Sequence, residues 1–250
     1  IRYNHPMNNQ PVLKQWLGTL LFLIGTAIGL TLSGFMTWGE MESNLAITLP
    51  DAKGLELSCP LMLAYNETGT VQAVIVNDTE REIKPVVKAG FGQPDSLAQQ
   101  KIEDTIILAA KKTQSVQYTI NSSQSAFGRI IPVNIIQSRY SRNAPRWGAC
   151  GVLLFSLFGM NGASSLALIV TSSLLFLAAG IYLTYPILIA RGDALRSLRQ
   201  AGGVLAFLTI TALISALFRW WGLSIIIEAI SLIALGTFII DSLFGQHKLI

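Results

Sequence analysis

The residues of this chain best suited to chemistry are few, and they point to structure more than to turnover. Cys59 and Cys150 are the two cysteines. Two thiols without a neighbouring histidine cannot complete a tetrahedral metal set. The expected chemistry is therefore a disulfide, provided both thiols lie outside the reducing cytoplasm. Such a bridge closes a loop of about 90 residues, worth roughly 4–5 kcal/mol at most on the chain-entropy model. The alternative is a pair of separate buried thiols.

His5 and His247 are the two histidines, one in each terminal tail, with no carboxylate partner at recognisable spacing. No Ser/His/Asp set, phosphate loop or His-Glu-x-x-His motif occurs. Gly202-Gly203 and Gly90-Phe91-Gly92 lack the strand–loop–helix setting and the Lys-Ser/Thr that a phosphate site needs. The sequence therefore assigns no catalytic, cofactor-binding or metal residue, and the expectation is a protein that is not an enzyme.

Ionisable groups inside apolar runs carry a sharper signal, because burying one in lipid is costly. Arg219, Glu228 and Asp241 are the three that matter. Glu228 stands about six residues into the last apolar run, roughly 9 Å along a helix. One reading pairs it with Arg219 across a turn, or with a partner subunit, to fix packing. The other has it line an ion or substrate path. Asp241 lies near the far end of the same run and reaches an interface. Gly25-x-x-x-Gly29 offers a small-residue face for close helix packing, or reflects ordinary glycine enrichment in membrane helices. Three sequons, at Asn66, Asn77 and Asn121, and the tripeptide Arg191-Gly192-Asp193 carry no assignment.

Those residues need elements to hold them, and composition names the setting. Hydrophobic residues make up 51% of the chain and charged residues 13%, about half the charged share of ordinary soluble domains. The net charge of +4 is unevenly spread: residues 37–147 hold eleven Lys/Arg and eleven Asp/Glu, and the remainder seven and three. The excess basic charge flanks apolar runs, where it signals topology and not nucleic acid.

Four runs are long enough to cross a bilayer. They are 15–36, 164–189, 201–219 and 223–244. The first is bracketed by Trp16 and Trp38, at belt positions. A cleaved signal peptide is its competing reading, but the apolar stretch exceeds the usual signal core and no A-x-A site follows. Residues 1–6 precede Met7 and are set aside from fold reasoning. Residues 1–14, 190–200 and 245–250 are expected in the cytoplasm, since they carry Arg2, Lys14, Arg191, Arg196, Arg199 and Lys248. The turn on the other side carries only Arg219, so both termini are read as inside and residues 37–158 as outside.

That outer segment alternates apolar and polar residues in short runs. Val71, Ala73 and Ile75 share one face, as do Val116, Tyr118 and Ile120, and Ile131, Val133 and Ile135. Further strands are expected at 45–49, 55–63, 83–91 and 104–109. Asn77-Asp78-Thr79-Glu80 reads as a hairpin turn and Gly92-Gln93-Pro94-Asp95 as a loop. About seven short strands in about 100 residues suit an immunoglobulin-like sandwich, with a small barrel as second choice. Residues 150–158 are given to this domain as a last strand or surface segment; a re-entrant segment at 150–162 is the alternative. The expected fold is thus an α+β membrane protein, four helices with an exoplasmic all-β domain between the first and second. Its partners are membrane lipid and a protein or envelope component met through that domain or a helix face.

Overall fold

In a computed structural model of the chain, the described residues are 10–45, 53–92, 100–138, 145–190 and 196–244. The strand expected at 46–49, the loop at 93–95, the Arg191-Gly192-Asp193 tripeptide and residues 1–9 and 245–250 of the tails lie outside them, while Gln10–Lys14, expected in the N-terminal tail, begin the first helix. The chain divides into a β-rich unit, Phe35–Ala167, and a helical unit made of Ile1–Gly34 and Leu168–Ile250.

Among the described residues there are four long helices: α1 (Gln10–Leu45), α2 (Gly162–Ala190), α3 (Arg196–Leu217) and α4 (Trp221–Phe244). Among the described residues each contains a stretch long and apolar enough to cross a membrane. These helices mark a membrane protein by length and composition. In the helical unit Phe22, Leu177, Leu205, Ala206 and Phe238 form one core cluster, with the rings of Phe22 and Phe238 5.4 Å apart.

The turn from α3 to α4 is a Schellman cap. The Trp220 N–H donates to Ser215 O at 2.9 Å and the Arg219 N–H to Ala216 O at 3.1 Å. Arg219 itself takes the left-handed position, φ +60°, where glycine is usual. Gly222, expected in this turn, instead lies in the first turn of α4.

The arrangement of helix and sheet differs from the expected one at α1. Its 36 residues amount to roughly 54 Å of helix, well beyond a ~30 Å hydrocarbon core. The polar residues after Met36 had suggested an exit into strands, but they extend the helix. Ser43 Oγ donates to Gly39 O at 2.8 Å and Asn44 Nδ2 to Glu40 O at 2.7 Å, so these side chains bond back one turn along the helix. Thr37, Glu40 and Ser43 are buried. Leu45, expected in a strand, is the last residue of α1. The β-rich unit therefore contains helical turns at its start and is not all-β.

The strands are β1 (Lys53–Gly54), β2 (Glu56–Ser58), β3 (Met62–Leu63), β4 (Thr68–Val76), β5 (Val86–Phe91), β6 (Gln100–Thr105), β7 (Thr113–Asn121), β8 (Ile130–Gln137) and β9 (Arg146–Leu154). They form two sheets, one ordered β1-β9-β8-β5-β6 with β3 also on β9, the other β2-β4-β7. Most pairs are antiparallel, but β1 and β3 run parallel to β9. Asn77–Glu80 does not close a hairpin, because β4 pairs with β7 and β5 belongs to the other sheet. The loop is built around Asn77, whose Nδ2 donates to the carbonyls of Arg81, Leu108 and Ala109.

Both sheets feed one core. Val71, Ala73, Ile75 and Ile120 come from the smaller sheet and Val87, Phe91, Ile131, Val133 and Val152 from the larger. Period-2 alternation sets the core face of β4 and β7, whereas β8 is buried along nearly its whole length. Cys59 and Cys150, 91 positions apart in sequence, are joined by a disulfide with Cα atoms 6.6 Å apart. The bridge ties the β2–β3 link to β9.

Candidate functional site

Within the helical unit, α1 presents Gly18, Gly25 and Gly29 at spacings of seven and four, which places them on one helical face. A Cβ on Gly25 would lie 2.7 Å from Leu177 N and 2.8 Å from Ser173 O, so α2 passes with its backbone against α1. On Gly29 it would meet Ser173 Oγ and Thr209 Cγ2, both at 2.8 Å. Gly18 faces Leu183 and Thr184, and Gly180 faces the Phe22 backbone at 2.6 Å. Gly18 and Gly180 were not singled out in the sequence. Gly18 could have been, because it continues the Gly25/Gly29 stripe by one heptad.

One turn beyond Gly29, Ser33 occupies the same stripe and is fully buried. Its hydroxyl lies 2.6 Å from Glu228 Oε1, 3.1 Å from Ala212 O and 3.4 Å from Ser224 Oγ. Ser224, one turn before Glu228 on α4, donates to the same carboxylate oxygen at 3.3 Å. Gly34 leaves room beside it, since its Cβ would sit 3.7 Å from Glu228 Oε2. Glu228 is half-buried. The structure thus draws α1, α3 and α4 together around one carboxylate. Ser33 is the residue sequence reasoning missed, and its signal was the Gly29 spacing.

Arg219 lies in the α3–α4 turn and is half-buried. Asp241 belongs to α4, with its side chain outside the described residues. Among the described residues no group of three His, Cys, Asp or Glu side chains could hold a metal ion.

In the β-rich unit, both helical segments are fastened to the sheets. A Cβ on Gly151 of β9 would fall 2.2 Å from Gly39 C, so the α1 backbone lies directly on the strand. Glu67, after β3, accepts the Ala64 N–H at 2.9 Å and the Gly162 N–H at 2.7 Å on one carboxylate oxygen. It therefore caps α2 from outside the helix, where a negative charge also suits the dipole. A Cβ on Gly162 would lie 2.2 Å from Met62 O. Asn161 adds an ordinary N-cap, its Oδ1 accepting the Ser164 N–H at 2.8 Å. Tyr118, in the core, has its phenol pKa pushed up, first by burial and then by the neighbouring Asp104 carboxylate.

No family model matches the chain, and no curated protein matches it. Among solved structures, a Paenibacillus cycloisomaltooligosaccharide glucanotransferase aligns at 16% identity and TM-score 0.35, over 43% of this chain and 15% of that one. A Listeria innocua beta-glucosidase aligns at 16% identity and TM-score 0.30, over 41% and 16%. A CARDB domain from Pyrococcus furiosus aligns at 12% identity and TM-score 0.32, over 44% of this chain and all of that one. The chain spans less than a fifth of the two enzymes' length, and similarities this low carry no argument about function.

Proposed function

We propose that this chain is a non-catalytic multi-pass membrane protein that presents an exoplasmic, immunoglobulin-like β-domain to a partner protein or an envelope component. The observation that carries the reading is the double fastening of the β-rich unit. Gly39 lies on Gly151 and Glu67 caps Gly162, so the helical turns at the start and end of this unit are packed on its own sheets. A unit braced in this way suits presentation, because a pre-organised surface loses less entropy on binding. Two sheets over one core, stapled by Cys59–Cys150, support the immunoglobulin-like assignment. The basic residues of the short loops support an N-in, C-in threading.

Photo-crosslinking residues at Gln72 and Thr119, on the outer side of β4 and β7, test the reading in native membranes. Discrete protein adducts from these sites, absent when the label is on lipid-exposed Leu175, are expected. Adducts only from Leu175 would sink it.

A second reading, an accessory subunit of a transporter or channel, draws on Glu228 and its Ser33 and Ser224 donors. Intramembrane carboxylates mark ion paths often enough to make this worth testing. If Glu228→Gln leaves assembly and every measured ion flux unchanged, the reading loses its basis.

A further inference from the structure

The β-rich unit has two unlike ends. By register, the end of β9, the start of β4, the end of β7 and the start of β8 lie together. This end also holds the α1 and α2 attachments, through Gly39 and Ile130 and through Glu67 and Gly162. The opposite end holds the loops after β4 and before β7, with Asp78, Glu80, Arg81, Glu82, Lys111 and Lys112 all exposed.

At the helix-bearing end, two turns share an unusual design. In the first, Phe127 and Gly128 have φ of +54° and +66°, and the Arg129 N–H donates back to Ala126 O at 3.2 Å. In the second, Phe158 and Gly159 have φ of +51° and +75°, and the Met160 N–H donates to Leu157 O at 2.9 Å. Two consecutive positive φ values closed by such a bond are the mark of a type I′ turn, whose first central residue is usually Asn, Asp or Gly. A phenylalanine there costs roughly 1–2 kcal/mol. Neither ring recovers that cost by burial within the protein, for Phe127 is 61% and Phe158 93% exposed. A turn residue chosen only to reverse the chain would be neither aromatic nor strained.

Neighbouring groups extend the pattern. Phe127 stacks on Trp38 of α1 at 6.2 Å, the Arg129 guanidinium lies 5.9 Å from the Phe35 ring centroid, and Phe158 precedes α2 by four residues. Exposed aromatic rings with one arginine, next to two helices suited to cross a membrane, have the composition of a bilayer interface.

We infer that the Phe127-Gly128 and Phe158-Gly159 turns insert their rings into the lipid headgroup boundary, seating the β-rich unit on the membrane that α1 and α2 enter. The occupant is lipid, and not a protein groove, because each ring stands exposed at a turn tip and both tips are continuous with the helix entries. The inference rests on the helices crossing a bilayer, independently of what the β-domain binds.

Full-length protein carrying a nitroxide at Phe127→Cys, Phe158→Cys, Ile107→Cys or Leu175→Cys, reconstituted in phosphatidylcholine–phosphatidylglycerol vesicles, tests it. The readout is spin-label accessibility to oxygen against a water-soluble nickel chelate. Ile107 is an exposed apolar residue after β6, near the charged end, and Leu175 is on α2. The expected oxygen-to-nickel ratio is several-fold higher at 127 and 158 than at 107, and highest at 175. A ratio at 127 and 158 equal to that at 107, with 175 still lipid-facing, overturns the seat and leaves a protein partner as the occupant. An aqueous signal at 175 overturns the membrane reading and the seat with it. Phe127→Asn and Phe158→Asn, which suit the turns, serve as folding controls: they are expected to keep native thermal stability in detergent.

Discussion

The β-rich and helical units differ in how many hydroxyl side chains they bury and in what they expose. In the sheets the inaccessible side chains are Phe91, Ile75, Ile120, Ile131 and Val152, while lysines and glutamates face out. In the helices Thr26, Ser33, Ser173, Thr209, Ser215, Ser224 and Ser231 are buried, and Leu175, Phe207 and Ile233 are exposed by more than 60%. Water drives the first arrangement by the hydrophobic effect. A lipid solvent offers no such drive, so helices there associate through close contact of small residues and hydroxyl hydrogen bonds. One chain thus obeys two solvents, and the exchange of roles falls inside α1, where the unit boundary follows Gly34.

Substitutions that treat the two interiors alike sharpen this contrast. Gly180→Leu has the largest expected effect, because the new side chain has to enter the Phe22 backbone. Size-exclusion chromatography in detergent is expected to show loss of monodisperse protein. Gly203→Leu, where a Cβ meets nothing, leaves the profile intact. An equal effect of both would mean that glycine at 180 reflects composition and not packing.

Removing the bridge acts on one unit only. Cys59→Ser with Cys150→Ser is expected to lower the stability of the β-rich unit by about 3–5 kcal/mol, seen as faster proteolysis between β1 and β9. Unfolding of the helices, followed by circular dichroism in mixed micelles, stays unchanged. If both units weaken together, they do not fold separately.

Ser33→Ala probes the hydroxyl interior at smaller scale. Its bond to Glu228 is expected to contribute about 0.6–1.7 kcal/mol, measured by a double-mutant cycle with Glu228→Gln. A coupling of zero would remove Ser33 from the polar cluster.

The smallest effect is one of pH. The Tyr118 pKa is raised on folding, so its neutral form is the one the core accepts. The stability it contributes is complete below the unfolded value of about 10 and declines as pH rises above it. The loss runs at up to about 1.4 kcal/mol per pH unit. Tyr118→Phe is expected to flatten the alkaline arm of a stability–pH curve for the β-rich unit.

Long-range periodic signals were legible in the sequence, and close-range ones were not. Four apolar runs and the alternation in 71–75, 116–120 and 131–135 give the helices and strands, because each repeats one physical instruction several times. Sheet membership was not legible. Asn77–Glu80 has turn chemistry whether it closes a hairpin or carries the chain to another sheet, and the difference lies in where β7 pairs. The end of α1 was misjudged because polarity after Met36 suggests water, whereas a helix against Gly151 can bury Thr37, Glu40 and Ser43. Glu67 carried no signal at all, since its partner Gly162 is 95 positions away.

The last strand of the β-rich unit is also its most connected. β9 pairs with β8, β1 and β3 and supplies Cys150 to the bridge. A ribosome adding about 5–20 residues per second delivers Cys150 roughly 5–18 s after Cys59, given that the two stand 91 positions apart. During that interval Cys59 has to stay reduced or be held by a thiol exchange partner, and the larger sheet lacks the strand that joins β1 and β3 to β8. The domain closes only when the segment leading into α2 arrives, so its completion and the start of the second helix are one event in time.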